Sequence, residues 1–332
     1  MARILAIRPY QTQDNRFMTD GAGPPLGLLS LVAYARQQRP GRDTFTLVDE
    51  RIEQTSDASY NRLCRGFMPD VVAISARTAE ADKVTHLVAL MRSLAPRAAL
   101  LIGGPHATAD GPQMALRYPG VYIVRGEGEV AFIRLLEAFD RGESCPEAPV
   151  SGLVCRLPDG QLLEVPPNAE VPDMASLPSP AWDLVDFHAY GQLGHMTPIG
   201  RGRYAPLFTS RGCPYHCIYC HEVFPKGFRA LDAGRVVDQV EELIAVHGVG
   251  EIEFYDDIFN ADYSRTMRFC EEIIRRGIKV RLSFPNGMRG DTLDRPLLEA
   301  LAAAGTYYLV FSVESASPRI QKLVRKHNRL DK

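Results

Sequence analysis

The segment Thr209-Ser-Arg-Gly-Cys213-Pro-Tyr-His-Cys217-Ile-Tyr-Cys220 decides how this 332-residue chain is interpreted. It places three cysteines at a C-x3-C-x2-C spacing, directly after an apolar run at residues 206–209 that predicts a strand. Thiolates are the usual ligands of iron–sulfur clusters, and a [4Fe–4S] cube normally takes four of them. Three cysteines therefore leave one iron open to chelate a small molecule and to donate an electron into it.

Two other interpretations of the cysteines have to be weighed. A zinc site would use His216 or His221 as a fourth ligand, although both histidines are expected to be loop residues. A disulfide framework is disfavoured, because the total of seven cysteines is odd and three of them are clustered. The remaining cysteines are scattered and are interpreted as core or surface residues: Cys64, Cys145, Cys155 and Cys270.

A β/α series surrounds and follows the cysteine segment, over residues 201–332. Strands are predicted at 206–209, 251–255, 279–284 and 307–313. Asp232 and Asp262 are placed to cap the intervening helices, Gly277 and Gly305 to end helices, and Pro318 to begin another. Four strands cannot close a barrel. The sequence therefore predicts a partial β/α barrel that is cut short or completed by something outside this chain.

Residues 1–142 alternate strands and helices in a second pattern. Continuous apolar runs at 4–7, 45–48, 71–75, 99–102 and 121–124 predict strands, and helices are predicted at 28–38, 81–94 and from Glu129 through Phe139. Such runs indicate a parallel sheet covered on both faces, which here predicts a flavodoxin-like or Rossmann-like α/β domain. Residues 143–200 contain many prolines and are interpreted as a connector with little regular structure, apart from one possible hairpin at 153–165.

The cysteine segment, including the aromatic Tyr219 before the last cysteine, resembles the signature of the radical S-adenosylmethionine (SAM) superfamily. The resemblance extends over roughly residues 200–332. It implies that Cys213, Cys217 and Cys220 hold a [4Fe–4S] cluster whose open iron binds the amino and carboxylate groups of SAM. It further implies reductive cleavage of SAM to a 5′-deoxyadenosyl radical, fed by an external electron donor of the flavodoxin or ferredoxin type.

The same resemblance implies a set of SAM-binding residues at the ends of the barrel strands. These are Tyr219, Asp256, Asp257, Ser283, Asn286, Arg289, Ser312 and Glu314. Asp256 and Asp257 could instead cap a helix before Phe259. Glu314 could instead form a structural link to Arg289. The adenine-binding segment that the family places after a fifth strand is absent from this sequence.

Four glycine-containing segments in residues 1–142 resemble the cobalamin-binding domain that precedes many radical SAM barrels. They are Gly23-Pro-Pro-Leu-Gly-Leu-Leu29, Pro69-Asp-Val-Val-Ala-Ile-Ser75, Gly103-Gly-Pro-His-Ala-Thr108 and Arg125-Gly-Glu-Gly-Glu129. The implied cobalamin-binding residues are Ser75, Thr78, Gly103, Gly104, His106, Gly126, Glu127 and Gly128. The loop at 9–21 lacks the Asp-x-His-x-x-Gly pattern of proteins that ligate cobalt, so a bound cobalamin would lack this axial histidine. The alternative is a Rossmann-like domain that has lost its cofactor.

Composition narrows the remaining possibilities. The chain is 45% hydrophobic and 23% charged, with a formal net charge of -2, which gives no reason to expect a nucleic acid partner. No apolar run reaches the roughly 18 residues of a membrane span. The N-terminus lacks the features of a signal peptide, so a cytoplasmic location is expected.

Together these features predict a cobalamin-dependent radical SAM methyltransferase that acts on an unactivated carbon or phosphorus centre of a small molecule or natural product. A radical rearrangement or cyclisation without methyl transfer is the alternative among enzymes. A non-catalytic cobalamin- or metal-binding module is the alternative outside them. A methylthiotransferase fits less well, because it needs a second cluster and Cys64, Cys145 and Cys155 are dispersed in the sequence.

Overall fold

The computed structural model describes residues 1–11, 23–146, 148–157, 159–167, 170–221 and 223–331. The chain divides into two compact units, and the main division falls between Leu184 and Val185. The loop at 9–21, whose lack of histidine bears on cobalt ligation, lies largely outside the described residues. Within these residues, no helix is long and apolar enough to cross a membrane.

The first unit consists mainly of alternating strands and helices over its described residues. In chain order they are β1 (Ala2–Arg8), α1 (Leu26–Gln38), β2 (Asp43–Asp49), α2 (Asp57–Phe67), β3 (Val71–Ser75), α3 (Ala81–Leu94), β4 (Ala99–Gly103), α4 (Pro105–Arg117), β5 (Tyr122–Val124), α5 (Glu129–Asp140), β6 (Leu153–Arg156), β7 (Leu162–Glu164) and a 3₁₀ turn at Trp182–Leu184.

The sheet of the first unit has the order β2-β1-β3-β4-β5-β6-β7. The first five strands are parallel, and their 2-1-3-4-5 order is the flavodoxin-like one that the sequence predicts. Alternate residues of each strand belong to separate core clusters: Leu5 and Ile7 to one, Ile4 to the other. Since successive side chains point to opposite faces of a strand, both faces of this sheet are buried, which confirms the interpretation of the continuous apolar runs.

Two helices of this unit were missed in the sequence analysis. α2 begins after Ser56, whose side chain accepts a hydrogen bond from Ser59 N while Ser59 Oγ accepts one from Ser56 N. This reciprocal cap uses serine where glutamate or glutamine is usual, so the pattern is easy to overlook. α4 contains Pro112 and has non-helical dihedral angles at Asp110, which break its apolar periodicity.

The proline-rich stretch at 143–200 is more regular than predicted. Its hairpin is present, with β6 and β7 antiparallel, and β6 pairs with β5. The hairpin therefore extends the sheet of the first unit, and this unit continues to Leu184. The prolines are consistent with this arrangement, because the described ones lie outside the two strands.

The second unit contains the remaining elements. They are α6 (Phe187–Gly191), β8 (Tyr204–Leu207), β9 (Ser210–Arg211), β10 (Arg229–Ala230), α7 (Ala233–His247), β11 (Glu251–Phe254), α8 (Tyr263–Arg275), β12 (Arg281–Met288), α9 (Arg295–Ala303), β13 (Thr306–Phe311) and α10 (Pro318–Leu323).

Four strands of the second unit form a parallel sheet in the order β13-β12-β11-β8. The helices between them begin at aspartate caps: Asp232 accepts from Gly234 N, Asp262 from Arg265 N and Asp294 from Leu297 N. Two of these caps were predicted. The sheet is a partial barrel, and the carboxyl ends of its parallel strands meet at one edge, where the cysteine segment follows β8.

Candidate cofactor sites

The loop that carries the cysteines is closed at its base by a short ribbon. β9 pairs antiparallel with β10, so that Ser210 faces Ala230 and Arg211 faces Arg229. The intervening residues, 212–228, include all three cysteines. Pairing at the base fixes where the loop leaves the barrel sheet and limits the conformations of its thiols.

Gly212 makes the turn from this ribbon into the cysteine loop. Its φ of +83° lies in the left-handed region, and a Cβ there would meet Pro225 O and would lie 2.8 Å from Gly227 O. The loop thus folds back on itself at a point where no other residue fits without strain. Asp257 accepts a backbone hydrogen bond from Gly212 as well, so the start of the loop is held from two sides.

The three thiols have the character expected of cluster ligands. All three are free; Cys213 and Cys217 are half-buried and Cys220 is exposed. Burial raises the pKa of Cys213, and the charge on Cys220 is close enough to contribute. Three free thiols on one restrained loop fit a [4Fe–4S] cluster with an open iron.

The four-ligand zinc alternative gains no support. Within the described ranges, no three His, Cys, Asp or Glu side chains converge closely enough to enclose one metal ion. His221 instead has its Nε2 3.4 Å from Asp257 Oδ1. Three thiols without a fourth protein ligand suit a cluster with an open iron better than a structural zinc site, which takes four ligands.

Asp256 anchors the strand end that leads into the loop. It is 1% exposed, and its carboxylate accepts hydrogen bonds from Thr209 N at 3.1 Å, from Thr209 Oγ1 at 2.9 Å and from Ser210 Oγ. Burial raises the pKa of Asp256, while the nearby Arg265 guanidinium opposes that rise. With its oxygens used in this way, Asp256 positions the loop rather than reaching a ligand.

Neither Asp256 nor Asp257 caps a helix before Phe259, which was the alternative for them. The 3₁₀ turn at Phe259–Ala261 has Ile258 at its N-cap position and no side-chain cap, and α8 is capped by Asp262. Asp257 is half-buried beside the cysteine loop, where burial raises its pKa and His221 and Lys226 lower it.

Arg289 has a different set of partners from the one the sequence suggested. Its guanidinium donates to both oxygens of Asp291, at 2.8 and 3.2 Å, and to the carbonyls of Lys326 and His327, at 2.9 and 2.6 Å. It also lies 3.9 Å from the centroid of the Tyr215 ring. Arg289 therefore connects the end of β12 to the cysteine loop and to the residues after α10, which leaves little capacity to bind SAM.

Glu314 is linked to the cysteine loop and not to Arg289. Lys326 Nζ lies 2.9 Å from Glu314 Oε1, and the hydrogen bond from Lys326 lowers the pKa of Glu314, helped by the Tyr219 hydroxyl. Glu314 also has a φ of +64°, which is strained for a non-glycine residue. Ser312 and Glu314 are both exposed at the end of β13, where a ligand can reach them.

The two candidates from β12 differ in their accessibility. Ser283 is fully buried and accepts a hydrogen bond from Thr197 Oγ1 at 2.9 Å. Asn286 is exposed and donates to Tyr255 O at 2.7 Å, which leaves its side-chain oxygen available. Asn286 can take part in a site at this edge, whereas Ser283 is committed to the interior.

At the carboxyl edge of the first sheet, Gly104 brings two loops into close contact. Its φ is +97°, and a Cβ would lie 2.9 Å from Ala76 O and 3.3 Å from Ser75 Oγ. His106 lies in the first turn of α4, with Nδ1 3.3 Å from Thr78 Oγ1. The candidates from β3 and β4 thus meet at one place on the edge, with Thr78 exposed.

The candidates after β5 lie at the next strand of the same edge. Gly126 N donates to Thr108 Oγ1 at 3.0 Å, Glu127 is buried and Gly128 precedes α5. A Cβ on Gly103 would come no closer than 3.8 Å to its neighbour, so the backbone does not require glycine there. Small residues along a parallel-sheet edge leave room for a flat corrin, and the donor set fits cobalamin.

Cys145 and Cys155 lie together in the first unit, although they are ten positions apart in the sequence. Burial raises the pKa of Cys155 to about 12, and a hydrogen bond with Cys145 contributes. Cys64 is elsewhere, with its sulfur 4.0 Å from Met91 Sδ. A pair of thiols is fewer than the cysteines that a [4Fe–4S] cluster takes. The pair therefore gives no reason to prefer a methylthiotransferase, which needs a second cluster.

Two family models match this chain, each over a different part of it. Residues 18–136 match the family model described as B12 binding domain, and residues 207–331 match the model described as Radical SAM superfamily. The chain carries a B12-binding domain followed by a radical SAM domain. The cofactors of this combination are a [4Fe–4S] cluster, SAM and cobalamin, and a radical SAM protein needs a reductant and a small-molecule substrate.

Two curated relatives and one solved structure cover nearly all of this radical SAM protein. It is 27% identical over 98% of its length to a protein named uncharacterized methyltransferase PH0819, from Pyrococcus horikoshii, and covers 68% of that protein. It is 26% identical over 99% of its length to an anaerobic magnesium-protoporphyrin IX monomethyl ester cyclase from Rubrivivax gelatinosus, and covers 58% of it. The cobalamin-dependent SAM radical enzyme OxsB, solved with aqua-cobalamin and SAM bound, aligns over 100% of this chain and 46% of its own, with a TM-score of 0.83 and 17% identity. The chain thus spans between about half and two thirds of these proteins.

Several residues that shape the cysteine loop were missed by sequence reasoning. Thr209 and Ser210 had a signal, since two hydroxyl residues directly precede the loop. Asp291 and Lys326 had none, because no short motif marks the pairing of Asp291 with Arg289 or that of Lys326 with Glu314. Their contribution depends on the tertiary fold.

Proposed function

We propose that this radical SAM protein transfers a methyl group to an unactivated carbon or phosphorus centre of a small molecule or natural product, with cobalamin as methyl carrier. The observation that carries the proposal is the pairing of two features in one chain: three free thiols on a restrained loop and a flavodoxin-like edge that matches a B12-binding family. When bound, the cluster supplies the electron that cleaves SAM, and cobalamin carries the methyl group.

In the second unit we assign the ligand-contacting role to side chains that remain accessible. Five residues are proposed to bind SAM. Tyr219 lies in the cysteine loop itself, and the others follow strands of the sheet at its carboxyl edge: Asp257, Asn286, Ser312 and Glu314. Asp256, Ser283 and Arg289 are proposed to position these residues, because their polar atoms are engaged within the protein.

In the first unit we assign cobalamin to the carboxyl edge of the sheet. Ser75, Thr78 and His106 supply hydrogen-bonding groups from β3 and α4. The smaller residues are proposed to let the ring approach the backbone: Gly103, Gly104, Gly126 and Gly128. Glu127 is proposed to lie at the same edge, after β5.

Methyl transfer is put first because it uses both cofactors, with cobalamin as the methyl carrier, and because a relative that aligns over 98% of this chain is named a methyltransferase. A radical cyclisation without methyl transfer is retained as the second candidate, because the cyclase matches 99% of this chain. The two activities differ in the fate of SAM, which gives a test that needs no knowledge of the substrate.

The test is an anaerobic incubation of the reconstituted protein with hydroxocobalamin, SAM and titanium citrate, followed by quantification of two products. Methyl donation from SAM leaves S-adenosylhomocysteine, and reductive cleavage leaves 5′-deoxyadenosine. We expect both, with S-adenosylhomocysteine approaching the amount of bound cobalamin, because each cobalamin accepts one methyl group and no substrate is present to remove it. Omitting cobalamin is the matched control and should abolish only S-adenosylhomocysteine.

The other outcomes are informative too. Production of 5′-deoxyadenosine alone, with cobalamin bound, would replace methyl transfer by the cyclisation-type reaction. Absence of both products from a protein that contains the cluster would overturn the assignment as an enzyme and favour a binding module.

A further inference from the structure

A strongly basic segment lies against the cysteine loop. Residues 318–331 contain five Lys or Arg residues and one Asp, in a chain whose formal net charge is -2. The segment is fixed beside the loop because Ile218 N donates to Val324 O at 3.1 Å. Positive charge is therefore concentrated next to the cysteines rather than spread over the protein.

The basic side chains of this segment fall into two groups. Lys326 and Arg329 turn toward Glu314 and Asp291 and help to hold the segment in place. Arg319, Lys322 and Arg325 are exposed. Arg319 and Lys322 are three positions apart in α10, which places them on one side of that helix, and Arg325 follows just after the helix ends. The second group is available to an approaching molecule.

Two apolar side chains stand beside these cations. Ile218, next to Cys217 in the loop, is 60% exposed, and Leu323 of α10 is 62% exposed. An exposed apolar centre with charged residues around it is the composition of a transient protein interface. We call the surface formed by Ile218, Lys322, Leu323 and Arg325 the basic patch.

We propose that the basic patch is the docking site of a small acidic electron-carrier protein that reduces the cluster. Two features select this partner: the charge of the patch complements an acidic protein, and Ile218 lies between two of the cysteines, so a carrier docked here comes close to the cluster. The inference rests on the proposed function, since it requires the cluster to be there. Docking delivers one electron: the carrier is oxidised by one electron, the cluster is reduced by one, and no bond or proton is transferred.

The complementary charges should act mainly on association. Electrostatic steering accelerates encounter by about 10- to 1,000-fold and weakens with salt. Raising ionic strength from about 0.01 M to about 0.1 M shortens the screening length from about 30 Å to about 10 Å. Reduction through the patch should accordingly be fast at low ionic strength and slow down as salt is added.

The experiment compares the double variant Lys322→Glu/Arg325→Glu with Lys279→Glu. Lys279 is an exposed lysine that precedes β12, at the opposite edge of the same sheet from the cysteine loop. Two measurements are made: the rate of cluster reduction by chemically reduced flavodoxin in a stopped-flow instrument, and the binding of flavodoxin to the cluster-free protein. At low ionic strength we expect the double variant to be reduced at least about tenfold more slowly and to bind at least about tenfold more weakly, and the control to stay within about twofold of wild type.

Reduction by titanium citrate separates this inference from the proposed function. This small reductant does not need a docking surface, so it should reduce both variants at the wild-type rate and support formation of 5′-deoxyadenosine in each. Equal flavodoxin rates in the double variant and wild type at low ionic strength would overturn the basic patch while leaving the enzyme assignment standing. Equal losses in the double variant and in Lys279→Glu would also overturn it, because they would reflect net charge alone.

Discussion

The two parallel sheets are each proposed to hold a cofactor at the carboxyl ends of their strands, but these two edges are built differently. At each edge lie the polar residues that the sequence analysis proposed as ligand-binding, because these residues come directly after strands. The edge of the first unit is built mainly from backbone and small residues, with Gly104 packed against Ala76. The edge of the second unit is held by a buried polar network around Asp256 and by the contacts of Arg289. The difference suggests that a large flat ligand needs room, whereas a cluster needs a rigid set of thiols.

The largest effect is expected from Asp256→Ala. The substitution removes a buried carboxylate that Thr209 and Ser210 use, and it leaves Arg265 buried without this nearby charge. Breaking such a buried charged arrangement costs about 3–5 kcal/mol, to be measured as the free energy of unfolding in urea. Asp232→Ala, which removes only the cap of α7, should cost about 1 kcal/mol. Equal losses in the two variants would show that the network does not hold the second edge.

A smaller effect is expected from paired glycine substitutions, which address the two edges separately. Gly212→Ala and Gly104→Ala each place a Cβ at a left-handed φ and against backbone oxygen, at a cost of about 1–3 kcal/mol. Gly212→Ala should lower the iron content after reconstitution without changing cobalamin uptake, and Gly104→Ala should do the reverse.

The chain offers controls for both glycine variants. A Cβ at Gly250 or at Gly66 would meet nothing within 4 Å. Gly250→Ala should leave stability nearly unchanged, and Gly66→Ala, inside α2, should add up to about 1 kcal/mol. If either glycine variant at an edge lowered both cofactors equally, the two sites would not be separable as described.

The sequence was sufficient to predict the local structure wherever a short pattern of residues determines that structure. The apolar runs predicted the order of the first sheet, the aspartates predicted the caps of α7 and α8, and the cysteine spacing predicted one restrained loop. It was insufficient where partners are distant in the chain. Arg289 was predicted to bind SAM, and no pattern in the sequence indicated that its guanidinium would donate to the carbonyls of residues 326 and 327, which lie 37 and 38 positions further along the chain.

Other omissions have similar physical causes. The hairpin β6–β7 was recognised locally, but its pairing with β5 depends on which strand is left at the sheet edge. Cys145 and Cys155 were considered dispersed, and folding brings them together. In each case the information lies in long-range packing, to which no short pattern corresponds.

The most direct test of the account is iron content and SAM cleavage in Cys217→Ala, measured beside wild type after anaerobic reconstitution with iron and sulfide. We predict that the variant loses the cluster's visible absorbance and forms no 5′-deoxyadenosine, while it still takes up cobalamin as wild type does. Cleavage of SAM at the wild-type rate by this variant would contradict the assignment of the three thiols as the ligands on which the proposed chemistry depends.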